Sequence, residues 1–257
     1  MDKVTSQAQE MYNAYRFGRF NYAAKRPDTE PLLLALLSRT NKDSRLFDIG
    51  CGAGFWTDTY VKFGYSPDRI TFLDLAPGNV TSLRKQGLHA HCGSVMHLPF
   101  KSNVSDLTIC NGVIHHTSDP YTAFSEVVRI TKPGGYIYLN VYNLWNPYFY
   151  IVHKAAFGIR YLYWNLDRRI IDRFVYPVAR SFIQPLAFLS IGMFLDDNTA
   201  RTMFMDQVIT PRAYLFSKKT IALYARRQCC IVEESGYNKN CLMIGAIIKV
   251  GSKDERS

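Results

Sequence analysis

Between Leu46 and Thr57 the chain reads Leu-Phe-Asp-Ile-Gly-Cys-Gly-Ala-Gly-Phe-Trp-Thr. Arg45 to Ile49 is a short apolar run with one acid, and Gly50, Gly52 and Gly54 follow at every second position. The stretch reads as a buried strand passing through a glycine-rich turn into a helix. Three positions without a Cβ let the backbone bend sharply and let a ligand lie against it. The helix predicted to begin near Phe55 would aim its free N–H groups back at the turn. A dinucleotide turn needs G-x-G-x-x-G and a phosphate loop needs G-x-x-x-x-G-K-[ST]; neither is present. Asp48, two residues before Gly50, would repel a pyrophosphate. It suits a ligand with an ammonium group, or one whose hydroxyls need acceptors. A tight turn of a parallel sheet with no ligand is the alternative.

Around this turn the pattern alternates. Strands are predicted at Arg45–Ile49, Arg69–Leu73, Leu88–Cys92, Ser105–Cys110 and Tyr136–Tyr142, with helices at Phe55–Phe63, Asn79–Gln86 and Pro120–Ile130. Lys132-Pro133-Gly134-Gly135 stops the last of these helices. Alternation of this kind implies βαβ units, a parallel sheet, and a ligand at the carboxyl ends of the strands. A helix from Lys218 to about Arg227 and strands at Cys229–Glu233 and Cys241–Val250 close the chain, with a turn over Gly236–Asn240. Before the core, Ser6 to Tyr22 reads as helical and Thr29 as an N-cap for a second helix. Tyr12 and Tyr15 share a face of the first helix, which either packs on the domain or caps a site.

Five motifs in order resemble the class I S-adenosylmethionine-dependent methyltransferases, in the type 11 branch similar to the ubiquinone and menaquinone biosynthesis enzymes. The first is the glycine turn. The second is Asp74, closing Thr71-Phe72-Leu73-Asp74-Leu75. The third is Gly93-Ser94-Val95-Met96-His97-Leu98-Pro99-Phe100, close to G-D-A-x-x-L-P-F but with Ser94 in place of the acid. The fourth is Asn111-Gly112-Val113-Ile114-His115-His116-Thr117, and the fifth Arg129-Ile130-Thr131-Lys132-Pro133-Gly134-Gly135. The resemblance implies an α/β, Rossmann-like, seven-stranded, mostly parallel sheet with helices on both faces. It implies S-adenosyl-L-methionine as cofactor, held by Asp48, Gly50, Gly52, Gly54, Asp74, Leu75, Ser94, Val95 and Asn111. Asp74 would accept from both ribose hydroxyls, the Ser94-Val95 pair would meet the adenine, and Asn111 would sit at the methionine end. His115 and His116 would stand at the mouth of the site. One of them is the candidate base for an acceptor that must lose a proton; the alternative is one buried, hydrogen-bonded histidine beside one that lines the wall.

The division expected is a helical N-terminal cap (1–44), the cofactor core (45–142), an inserted helical lid (143–212), the closing helix and strands (213–250) and a tail (251–257). The insertion interleaves aromatics such as Trp145, Tyr150, Phe157 and Trp164 with Lys154, Arg160, Arg173 and Arg180. From it Asp206 could reach the acceptor, alongside Tyr12 and Tyr15. A hydrophobic, aromatic or sugar-containing small molecule is the leading acceptor. A lipid-linked substrate at a membrane surface comes next, then RNA, then a non-catalytic binding subunit. The net charge of +10 permits nucleic acid or an anionic membrane, but no dense basic run favours RNA. Six cysteines with no C-x-x-C pair argue against a zinc site and for free thiols in a reducing, cytoplasmic setting. No metal site is implied, and Asp196-Asp197-Asn198 reads as a turn or helix cap. Met1–Ser6 has no apolar core of the kind a signal peptide carries.

Overall fold

The computed structural model describes residues 1–14, 30–165, 168–191, 194–238 and 241–251. Tyr15, the expected N-cap Thr29 and most of the tail lie outside them. The chain opens with α1 (Lys3–Ala14) and α2 (Pro31–Arg39). The core follows as β1 (Leu46–Ile49), α3 (Thr57–Lys62), β2 (Ile70–Asp74), α4 (Pro77–Lys85), β3 (His89–Cys92), β4 (Ser105–Asn111), α5 (Pro120–Ile130) and β5 (Thr131–Tyr142). The insertion holds α6 (Pro147–Asn165), α7 (Arg168–Ile170), α8 (Tyr176–Ile191) and α9 (Asp197–Phe204), with π-helical turns at Ile171–Val175 and Met205–Ile209. α10 (Lys218–Arg227), β6 (Cys230–Tyr237) and β7 (Met243–Val250) complete it.

The seven strands form one sheet in the order β3-β2-β1-β4-β5-β7-β6. β1 to β5 are parallel; β7 runs against both of its neighbours, β5 and β6. Side-chain alternation sets the layers. Ile137, Leu139 and Val141 of β5 join Phe47 and Ile49 of β1 on one face, under Phe124, Val127 and Ile221 of α5 and α10. Tyr138 and Leu46 take the other face, under Leu33, Leu36, Tyr60 and Leu83 of α2, α3 and α4. A sheet apolar on both faces needs this double cover. Strand order reverses between β1 and β4, so the glycine turn leaves the sheet at its switch point.

Local chemistry explains the helix starts. Asp119 caps α5 by accepting from the Tyr121 and Thr122 amides, with Pro120 in the first turn. Ser217 caps α10 and Asp196 caps α9 in the same way, so Asp196 is a cap. Glu30 holds the N-cap position of α2 but makes no capping bond, because its carboxylate is turned into the core.

Several boundaries differ from the sequence reading. α3 starts at Thr57, since residues 51–56 remain a turn. α5 ends at Ile130 as expected, but β5 begins at once at Thr131, and Lys132–Gly135 form a bulge opposite Asp106. β6 runs on through Gly236 and Tyr237, residues expected in the turn. All six cysteines are free thiols; Cys51, Cys110 and Cys230 are buried, and Cys92, Cys229 and Cys241 are exposed.

The insertion has its own small core of Tyr163, Ile171, Tyr176, Phe204, Met205 and Ile209, which Met11 of α1 joins. α1 is tied to the strand ends as well: Gln9 Nε2 donates to the Leu75 carbonyl at 2.9 Å, and the Gly78 amide donates to Asn13 Oδ1 at 3.0 Å.

Candidate functional site

The carboxyl ends of β1, β2, β3 and β4 border a cavity of about 290 Å³. Asp48, Gly50, Gly52, Asp74, Leu75, Ser94, Val95 and Asn111 all line it. So do Tyr12, His115, His116 and Asp206. Gly54 does not. Its φ is +86°, and a Cβ there would stand 2.6 Å from Leu83 Cδ2, so this glycine lets the turn pack on α4. Gly50 does border the cavity, and a Cβ on it would lie 2.3 Å from Val113 Cγ2.

The turn differs from expectation in one respect. Most of its amides are not free. Gly50 and Cys51 donate to the Leu73 carbonyl, Gly54 and Phe55 to the Cys51 carbonyl, and Thr57 to the Gly54 carbonyl. Gly52 N–H donates to Asp74 Oδ2 at 2.8 Å. The turn closes on itself and on β2, because buried amides must be paired.

Asp74 is accordingly a clamp as well as a site residue. Its Oδ1 also accepts from the Ala76 amide at 2.9 Å and from Asn79 Nδ2 at 3.0 Å. Three of the roughly four acceptor positions of a carboxylate are taken. Beside it Asn79 lines the same cavity, and its Oδ1 is buried without a partner among the described residues. Ser94 Oγ accepts from the Met96 amide at 3.2 Å, holding its own loop.

Two acids share the wall by β1. Asp48 accepts from the Tyr60 hydroxyl at 3.1 Å, and burial pushes its carboxyl up to about 7. Glu30 accepts from the Tyr138 hydroxyl at 2.7 Å and from Asn140 Nδ2 at 2.9 Å; burial raises it to about 7 too. Asn140 Nδ2 also donates to Asn111 Oδ1 at 2.9 Å, linking Glu30 to the end of β4. Glu30 was missed by the sequence reading. It is a lone acid before Pro31 with no motif around it, and only the pairing with Tyr138, 108 positions on, marks it.

A second group gathers on Asp206, which the π-helical turn carries in. Its Oδ1 accepts from the Tyr12 hydroxyl at 3.0 Å and stands 3.5 Å from His116 Nε2. Its Oδ2 accepts from the Tyr142 hydroxyl at 2.7 Å. His116 Nδ1 lies 3.0 Å from the Arg212 carbonyl, which can only accept, so Nδ1 carries the proton and Nε2 is bare when the ring is neutral. Burial holds His116 below the usual histidine range, against a smaller opposing pull from Asp206. His115 is more deeply depressed, by burial and then by His116. It stacks on Tyr142 at 3.9 Å between ring centroids, and neither of its ring nitrogens has a partner among the described residues. Both histidines line the cavity, and the hydrogen-bonded one is His116. Tyr142 was read only as the end of a strand.

The donor set fits S-adenosyl-L-methionine. Two buried acids suit its ammonium group, Asp74 and Asn79 suit ribose hydroxyls, and the buried Val95 and half-buried Leu75 offer an apolar wall to a ring.

Comparison with known proteins agrees with the motifs. The family described as "Methyltransferase domain" matches residues 47–139. Malonyl-[acyl-carrier protein] O-methyltransferase of Serratia marcescens is 31% identical over 139 residues, 53% of this chain and 53% of that protein. Ubiquinone biosynthesis O-methyltransferase of Xanthomonas oryzae pv. oryzae is 30% identical over 107 residues, 39% of this chain and 44% of that one. The chain thus spans about half the length of the curated relatives it matches. The fold is shared with a crystal structure of Burkholderia thailandensis 1,6-didemethyltoxoflavin-N1-methyltransferase, at a TM-score of 0.57 and 18% identity over 97% of this chain and 88% of that one. Through residues 47–139 the chain belongs to the class I S-adenosylmethionine-dependent methyltransferases, in their type 11 branch.

Proposed function

We propose that the protein methylates an oxygen atom of a small, largely apolar molecule, using S-adenosyl-L-methionine. The observation that carries this reading is the His116–Asp206 pair with its two tyrosines, placed in the same cavity as the acids of the cofactor wall. The bound cofactor supplies a methyl group already activated on a sulfonium. Asp48 and Glu30 hold its ammonium end, Asp74 and Asn79 its ribose, and Val95 its ring.

The chain's own part is positioning and proton removal. His116 Nε2 takes the proton of the acceptor hydroxyl or acid. The imidazolium that forms is stabilised by Asp206 at 3.5 Å. Tyr12 and Tyr142 keep Asp206 turned toward the ring. His115, neutral and fully buried, backs Tyr142 and His116. The helical insertion and α1 exclude water, which strengthens each of these contacts. Two relatives named as O-methyltransferases support oxygen as the atom methylated.

Calorimetry with S-adenosylmethionine and S-adenosylhomocysteine tests the cofactor site. Transfer of labelled methyl groups to a panel of phenols, carboxylic acids and amines tests the acceptor. Absence of heat with either cofactor form defeats the reading; transfer to amines alone defeats the choice of oxygen.

A further inference from the structure

Among the described residues, ten of the fifteen large apolar side chains left exposed lie in the insertion, between Trp145 and Phe194. They are ordered in stripes. On α6, the exposed Tyr150, Lys154, Phe157 and Tyr161 recur at intervals of three or four residues. On the helical run from Arg168 to Ile191, Ile170, Phe174, Val178 and Phe182 recur at every fourth position. Phe157 is 75% exposed, Phe182 68% and Phe174 64%. The inward sides are filled separately: Tyr163, Ile171, Tyr176 and Ile183 pack into the insertion's own core. Each helix is therefore apolar on two sides. A helix side that faces only water carries charges instead.

The charges beside these stripes are mostly positive, and Arg180 is paired with Asp197 at 3.1 Å. From Asn143 to Leu195 the sequence holds six lysines and arginines against two aspartates. Lys154, Arg169, Arg173 and Arg180 are exposed. Lys154 lies over the Tyr150 ring at 5.6 Å and Arg173 over Phe174 at 5.9 Å, so cation and aromatic alternate along one surface. Of the acids, Asp172 is paired with Arg201 at 2.6 Å. No described helix is long and apolar enough to cross a membrane. An aromatic face bordered by basic side chains on helices of this kind matches a lipid interface.

We infer that this outer face docks on an anionic lipid bilayer, with the two aromatic stripes among the headgroups and Lys154, Arg169, Arg173 and Arg180 at the lipid phosphates. The inference goes beyond methyl transfer and does not depend on it. It has a physical link to the cavity, however. On the inner side of α6, Arg160 Nε donates to the Val208 carbonyl at 2.9 Å, in the same π-helical turn that carries Asp206.

The test is flotation of the whole chain with phosphatidylcholine vesicles, with and without phosphatidylglycerol. The chain is expected to float with the anionic vesicles only, and to lose most binding at high salt. The variant Phe157→Ser/Phe174→Ser/Phe182→Ser is expected to bind about tenfold or more weakly, with cofactor affinity unchanged. In the wild type, Trp145, which is 72% exposed, is expected to be quenched by brominated acyl chains, and Trp145→Phe to remove that signal. This readout decides the matter if the triple variant fails to fold. Cofactor binding without flotation or quenching overturns docking and leaves the methyltransferase reading standing. Light scattering that finds a dimer, abolished by the triple variant and unable to float, also overturns it by making a second copy the occupant.

Discussion

The two walls of the cavity are built on different plans. Apart from Glu30, the proposed cofactor wall is made from strand ends and a turn whose amide hydrogen bonds close within about 25 residues of chain. The proposed acceptor wall is a meeting of side chains from distant segments: Tyr12 on α1, His115 and His116 after β4, Tyr142 on β5, and Asp206 in the insertion. Tyr12 and Asp206 are 194 positions apart. A wall fixed by local backbone geometry can be kept while the other is exchanged. One fold can thus keep its methyl donor and change its acceptor.

The comparison can be broken by substitution, most severely on the acceptor wall. His116→Asn is expected to lower kcat/KM by about 10²–10³-fold and Asp206→Asn by somewhat less, with cofactor affinity changed by less than about twofold. Equal losses of turnover and cofactor affinity would show that the walls are not separable. Because burial depresses His116, the acid limb of the rate profile is expected below pH 6.5, with activity restored as pH rises. Gly50→Ala is the matching change on the cofactor wall. A φ of +74° and the 2.3 Å approach to Val113 make a loss of about 2–4 kcal/mol in stability the expected result, read from a thermal melt.

A smaller effect separates two acids of the cofactor wall from the ordinary kind. Asp48 and Glu30, held near 7 by burial, are protonated below that pH until a cation arrives. An ammonium favours their ionised forms. Cofactor affinity is therefore expected to rise with pH through about 7 and to fall by up to about tenfold per unit below it. Stability of the ligand-free chain has the opposite sign. A raised carboxyl contributes stability below its unfolded value, 3.8 for Asp48, and loses it as pH rises through about 7. Asp48→Asn is expected to raise the ligand-free melting temperature at pH 8, by about 2–4 °C per kcal/mol recovered, while weakening cofactor binding. The smallest effect is a gain. Ser94→Asp restores the acid that the resembled motif carries, and a charged acceptor is expected to tighten cofactor binding about fivefold in calorimetry.

The same contrast governs what the sequence made legible. The order of elements, the glycine turn, Asp74 and the cap at Asp196 are short-range facts: each rests on neighbours a few residues away. Helix and strand periodicity located them, and errors were confined to ends, as at α3 and β6. His115 and His116 were found because a motif marks them. Which histidine is the hydrogen-bonded one could not be read, since the Arg212 carbonyl lies 96 positions on. Glu30 and Tyr142 were missed for the same reason. Tyr12 and Asp206 were named separately, but nothing in their spacing showed that they meet. The sequence also showed an aromatic insertion without showing which aromatics point outward.

Asp206 holds Tyr12 with one oxygen and Tyr142 with the other, so a single carboxylate fastens both covers of the cavity to the sheet. Moving the insertion away would strip two phenols of their acceptor at once, and moving α1 away would strip one. Traffic through the two walls is therefore correlated. Under the proposed function, donor exchange and product escape would share one door, and steady-state patterns are expected to show a compulsory order of addition in place of random entry.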